Sequence, residues 1–137
     1  MAAQFKHVPP PREVKSNRQV PTIRGQYHTF MLIPLMEHHT RWFDAGPVSI
    51  GVEARALGDK KVMVRGPSIH VCNASRDEEY LRFDVFGSVL HYHYIDNANQ
   101  TNTLWGYDPA VNGPMIDWAC NALAERLPTL LRNAGAD

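Results

Sequence analysis

Apolar and polar residues alternate most regularly along two runs, 79–86 and 89–95, which flank Gly87-Ser88. A period of two is typical of β-strands, and a two-residue loop that begins with Gly predicts a β-hairpin. This turn fixes a register in which Asp84 faces His91 and Arg82 faces His93. The hairpin is then apolar on one face and carries these four polar residues on the other.

The same alternation predicts further strands on the N-terminal side of the hairpin. Residues 49–56 alternate, and residues 62–65 and 68–72 form a strand that should be interrupted by a bulge or bend at Gly66-Pro67. Short turns join these runs, so we expect an antiparallel meander of four or five strands. Glu53, Arg55 and His70 should share the polar face of the hairpin. Residues 27–33 form a further candidate strand before Pro34.

The C-terminal region has the period of a helix. Asn112 is the predicted N-cap, Pro114 lies in the first turn, and Pro128 should kink or end the helix. Apolar residues at spacings of three and four would cover the apolar face of the sheet. Residues 96–112 are interpreted as a polar connection that contains a small aromatic cluster. The predicted fold class is α+β, an antiparallel meander sheet covered on one face by a C-terminal helix.

A proline-rich segment, residues 1–26, is predicted to be an extended arm that precedes a single domain over residues 27–137. Such an arm is either free or laid across a neighbouring subunit. One helix covers only part of a sheet, so we expect a homodimer in which Trp42, Trp105 and the arm cover more of it.

Composition narrows the possible partners and location. Fourteen basic and fourteen acidic side chains give no net charge that would favour nucleic acid or an anionic membrane. The longest apolar run, residues 30–36, is too short to span a bilayer, and residues 1–29 lack a secretory signal. We therefore expect a cytoplasmic protein, in which Cys72 and Cys120 are buried, unpaired thiols.

The polar face suggests acid–base chemistry. In this interpretation Asp84 orients His91 as a general base, Arg82 or Arg55 holds an anion, and His93 or His70 donates a second proton. The expected enzyme is a lyase, isomerase or decarboxylase that acts on a small acidic or phenolic substrate without a cofactor. Further substrate-binding candidates are Glu53, His38 and Trp105.

Three other interpretations stay open. His91 and His93 lie two apart on a strand and could chelate zinc or another divalent transition metal, with His70, Asp84, Asp96 or Glu37 completing the site. This H-x-H spacing resembles the first motif of cupins, although Asn97 and Ala98 stand where that family has a glutamate. The polar residues could instead form a solvated ladder of cross-strand pairs, or the protein could be an interaction module that docks through its arm.

The hairpin R-F-D-V-F at 82–86 and H-Y-H-Y-I at 91–95, followed by Pro114, Trp118-Ala119 and Leu127-Pro128, resembles a small bacterial family of uncharacterised single-domain proteins. The similarity covers about the last third to half of the chain. The resemblance implies the hairpin and the C-terminal helix, and it implies no activity.

Overall fold

The computed structural model describes residues 26–29, 35–58, 63–87 and 89–136. They form one antiparallel sheet and two α-helices. The strands are β1 (Gln26–Thr29), β2 (Thr40–Ala45), β3 (Val48–Gly58), β4 (Met63–Asn73), β5 (Glu79–Val85), β6 (Leu90–Asp96) and β7 (Thr101–Gly106). The helices are α1 (Pro109–Asn112) and α2 (Met115–Asn133), and a 3-10 turn covers Glu37–His39.

The six strands from β2 to β7 pair in chain order, and β1 pairs with β7 at one edge. Every pairing is antiparallel. The predicted α+β meander covered by a C-terminal helix is confirmed. Of the predicted arm, 1–26, only Gln26 is described, and residues 30–33 of the candidate strand 27–33 also lie outside the described residues.

The register of the central hairpin, β5 with β6, is the one that the Gly87-Ser88 turn predicts. Asp84 pairs with His91, and Arg82 pairs with His93. The predicted interruption at Gly66-Pro67 is wrong, because β4 pairs with β3 continuously through both residues. Gly66 permits this passage with a φ of +155°, where a Cβ atom would lie 2.2 Å from the carbonyl oxygen of Val85.

Two predictions for the C-terminal half are wrong. The connection predicted at 96–112 contains β7, because alternate residues of 101–106 are buried against the sheet despite the many polar side chains. Asn112 is the last residue of α1 rather than the N-cap of the long helix. Asp108 caps α1 by accepting a hydrogen bond from the amide of Ala110 at 2.9 Å, and Pro114 occupies the cap position of α2.

Helix α2 packs over β5 and β6 on the apolar face of the sheet. The ring of Trp118 lies 4.9 Å from that of Tyr107, 5.1 Å from Tyr92 and 6.0 Å from Phe83, measured between centroids. The helix departs from helical geometry at Arg126, two residues before Pro128, as the proline predicts.

The two cysteines differ in their surroundings. Cys72 is buried, as expected, and burial raises the pKa of its thiol to about 12. Cys120 is exposed on α2, which corrects the expectation that both are buried. In the part of the chain that the structure describes, no helix is long and apolar enough to cross a membrane.

Candidate metal centre

The sheet register gathers the polar residues of four strands on the face opposite α2. Glu53 pairs with Ser68, Ser68 with Asp84, and Asp84 with His91, which forms one row across β3 to β6. A second row runs through His70, Arg82 and His93. The predicted sheet-face residues are all buried, and none of them exposes more than 7% of its surface: Glu53, Arg55, His70, Arg82, Asp84, His91 and His93. They therefore do not form a solvated ladder.

At one end of this face, two imidazoles converge on a single carboxylate oxygen. The Nε2 atoms of His91 and His93 both lie 2.9 Å from Oδ2 of Asp84. The two rings lie 4.9 Å apart between centroids. One donor atom from each of the three residues lies within 4.8 Å of the other two, which is the spacing of ligands around one metal ion. We call Asp84, His91 and His93 the triad.

The other ring nitrogens of the triad histidines determine what their Nε2 atoms can do. Nδ1 of His91 lies 2.9 Å from the carbonyl oxygen of Val89, which can only accept, so this nitrogen carries the hydrogen and donates. Nδ1 of His93 lies 2.8 Å from the amide oxygen of Asn102. Each Nε2 atom lies at hydrogen-bond distance from Oδ2 of Asp84, and a metal ion bound among the three atoms would take the place of the Nε2 hydrogens.

The second oxygen of the Asp84 carboxylate, Oδ1, also has a hydrogen-bond partner. The hydroxyl of Ser68 donates to Oδ1 of Asp84. Burial by itself would raise the pKa of Asp84, but the hydrogen bonds with His91 and His93 outweigh it and hold that pKa well below its usual range. Burial, together with the nearby His91 and Arg82, lowers the pKa of His93, although its contact with Asp84 opposes this shift. These shifts favour an ionised Asp84 carboxylate beside a neutral His93.

A second cluster on the same face is built from alternating charges. Oε1 of Glu53 accepts from Nη1 of Arg55 and lies near Nε2 of His70, each at 2.8 Å. Nδ1 of His70 contacts Oε1 of Glu79. Arg82 holds Glu79 with two hydrogen bonds, 2.9 Å from Nε and 2.6 Å from Nη2. We call Glu53, Arg55, His70, Glu79 and Arg82 the charge network.

The charge network is fully ionised. Burial opposes the charged form of each glutamate, but the partners of Glu53 and Glu79 lower the pKa of both side chains to about 2. Burial likewise disfavours a charged His70, yet Glu79 and Glu53 outweigh it and raise the pKa of the imidazole. The geometry requires the same protonation state, because each nitrogen of His70 faces a carboxylate and must donate to it.

Two predicted binding residues lie apart from the triad. Trp105 pairs with Tyr92, which places it on the apolar face of the sheet beside α2 and not on the polar face. His38 is exposed in the 3-10 turn, with its ring 4.2 Å from that of His39. Of the residues considered for completing a metal site, Asp84 is the one that joins His91 and His93. Glu37 instead bonds the indole of Trp42 at 2.7 Å.

The pattern of alternation missed three residues that build this face. Alternation places Glu79 with Leu81 on the apolar side, but the register shifts between Val71 and Cys72, so that Glu79 pairs with Cys72. This bulge turns Glu79 to the polar face. Asn102 lay in the predicted connection. Ser68 lay on a predicted strand, and its position beside Asp84 follows once β4 pairs with β5.

Residues 42–137 match the family model described as "Domain of unknown function (DUF7700)". The match covers more than half of the chain, and the chain belongs to this family. No curated protein and no solved structure matches it.

Proposed function

We propose that this member of the DUF7700 family binds one divalent transition metal ion through Asp84, His91 and His93, and that the centre serves acid–base chemistry on a small molecule. The observation that supports this proposal is the convergence of both Nε2 atoms on Oδ2 of Asp84, each at 2.9 Å. Two ligands at right angles, each about 2.1 Å from a metal ion, lie about 3 Å apart.

The residues around the triad support metal binding as well. Metal-ligating histidines usually donate their second ring nitrogen to a carbonyl or carboxylate, and Val89 and Asn102 supply such acceptors. Ser68 fixes the orientation of the Asp84 carboxylate. Imidazole and carboxylate donors suit zinc, iron and cobalt.

Three protein ligands leave coordination positions for water or substrate, as in catalytic centres. Zinc held by these three residues would lower the pKa of a bound water, to about 7 in catalytic zinc centres, and so would supply a base at neutral pH. The chain holds His91 and His93 in fixed tautomers and excludes bulk water from both rings, since each exposes 7% of its surface. The sheet thus provides rigid ligands in a shielded place.

Metal content tests the proposal directly. We expect untagged, full-length protein that has been stripped of metal to take up one equivalent of Co²⁺ or Zn²⁺, measured by elemental analysis and, for cobalt, by visible absorption. His91→Ala and His93→Ala should abolish stoichiometric uptake. His38→Ala is the matched control, because His38 is an exposed histidine outside the triad, and it should bind metal like the wild type.

Circular dichroism and thermal melting establish that each variant is folded. A folded wild-type protein that takes up no equivalent of any of these metals would overturn the proposal. Uptake that persists in both triad variants and disappears in His38→Ala would assign the metal to another place.

Proton transfer without a metal is the second candidate. It is favoured by the pairing of Asp84 with His91 at 2.9 Å, which is also the geometry by which a carboxylate orients a catalytic imidazole. Protein that binds no metal and loses turnover in His91→Ala would support this candidate.

A further inference from the structure

The charges buried around the triad restrict what can bind there, if the triad holds a metal as proposed above. In the charge network, Arg55, Arg82 and the doubly bonded His70 are three cations, and Glu53 and Glu79 are two anions. The network therefore carries one excess positive charge. Asp84 supplies one negative charge on the same face, so the metal-free face is neutral.

A divalent metal ion disturbs this neutrality. It adds two positive charges, and Asp84 is the only anionic ligand that the described residues offer it. Glu53 and Glu79 belong to the charge network, and three further carboxylates have partners elsewhere: Glu37 bonds Trp42, Asp44 pairs with Arg76 on the surface, and Asp96 bonds Asn99. An uncompensated charge in a buried place is costly, because the low local dielectric strengthens every electrostatic term.

Asn102 bonds His93 and Ser68 bonds Asp84, but the neighbours of His91 on β7 and at Phe86 are apolar or small. The ring of Phe86, itself 2% exposed, lies edge-on to His91 with centroids 5.8 Å apart. On β7, Leu104 pairs with His93, and Gly106 pairs with His91 without placing a side chain there. A ligand beside His91 would meet hydrocarbon and an aromatic edge rather than a polar wall.

We propose that the exogenous ligand of the metal-loaded centre is a small organic anion, bound through a carboxylate or phenolate oxygen and carrying an apolar body. Its negative charge offsets the charge that the metal ion introduces, and its hydrocarbon part packs against Phe86 and Leu104. Neutral isosteres of the same shape satisfy only the packing, and they bind more weakly.

A charge-matched pair of ligands tests this inference. Benzoate and benzamide have nearly the same shape and differ in charge. Each is titrated, at constant ionic strength, into full-length protein carrying one equivalent of Co²⁺, and the visible absorption of the cobalt is followed. We expect benzoate to shift the spectrum saturably, with a dissociation constant at least about tenfold below that of benzamide. Metal-free protein should show no saturable benzoate binding by calorimetry.

The outcomes separate this inference from the proposal on which it depends. Stoichiometric cobalt with equal binding of benzoate and benzamide, or with no response to either, overturns the anion inference and leaves the metal centre standing. Saturable benzoate binding by metal-free protein that equals binding by the cobalt form also overturns it, because the metal then contributes nothing. If the protein does not bind cobalt, both the proposed metal centre and the anion inference are overturned. The ratio of cobalt to protein is therefore measured before the ligand titrations.

Discussion

The triad and the charge network lie side by side on one sheet face, and they satisfy their polar atoms in opposite ways. In the charge network each carboxylate faces cations: Glu79 meets His70 and Arg82, and Glu53 meets His70 and Arg55. In the triad, two imidazoles compete for one oxygen of Asp84. The network gives each of its carboxylates cationic partners within the chain, whereas the triad places three potential metal ligands around one point.

This difference teaches which buried polar residues to associate with function. Apart from the half-buried Glu79, all of these groups are buried to a similar degree, so burial alone does not distinguish the triad from the network. A closed set of donors and acceptors can be explained by folding, because every buried charge has its partner. Potential metal ligands that converge on one point are the observation on which the proposed metal site rests.

The largest expected effect is the loss of stability when one carboxylate of the charge network is replaced. Glu79→Gln leaves Arg82 and His70 buried without their shared counter-charge, and breaking a buried ion pair from one side costs about 3–5 kcal/mol. We expect the free energy of unfolding, measured by urea denaturation of metal-free protein, to fall by about that amount. Glu78→Gln is the matched control, since Glu78 is the exposed neighbour, and it should change stability by less than about 0.5 kcal/mol. Equal stability of both variants would show that the network is not structural.

The pH dependence of stability tests whether the residues of the charge network are ionised in the folded protein. The folded pKa of Glu53 and Glu79, about 2, lies below the ordinary value of 4.5, so their stabilisation is complete above pH 4.5 and is lost as the pH falls toward 2. The pKa of His70 is raised above 6.5, so its contribution is complete below pH 6.5 and is lost as the pH rises through the folded value. Each unit of difference corresponds to about 1.4 kcal/mol.

Urea denaturation of metal-free protein across this pH range should therefore show a decline on both sides. His70→Gln cannot titrate, and its decline above pH 6.5 should flatten relative to wild type. Parallel curves for the two proteins above that pH would argue against a charged His70 in the network.

The smallest expected effect concerns the triad. Ser68→Ala removes the hydroxyl that donates to Asp84 but keeps all three metal ligands. Loss of such an outer hydrogen bond typically lowers metal affinity by about 10- to 100-fold and stability by about 1 kcal/mol. Competition with a chelator measures the affinity. Ser75→Ala, at an exposed serine that also bonds an aspartate, is the control and should leave affinity unchanged.

The sequence predicts the centre of this site because its geometry is local. The turn at Gly87-Ser88 fixes the register of two adjacent strands, and that register brings Asp84 beside His91. Glu79 was not predicted, because the bulge between β4 and β5 reverses the face of the sheet to which its side chain points. The alternation of apolar and polar residues does not reveal where such a bulge occurs. The convergence of both histidines on one oxygen depends on their side-chain conformations, which the pattern of residues does not determine.

The pairing of β1 with β7 has a consequence for how the chain folds. Each ladder from β2 to β7 joins strands that are consecutive in sequence, so these hairpins can form and extend one another through short loop closures. Gln26–Thr29 pairs with residues 102–105, and bringing these segments together closes a much longer stretch of chain. We therefore expect β1 to join the sheet late. Until it does, the backbone of β7 is an open edge that a second unfolded chain can pair with, which makes slow docking of β1 the step most exposed to aggregation.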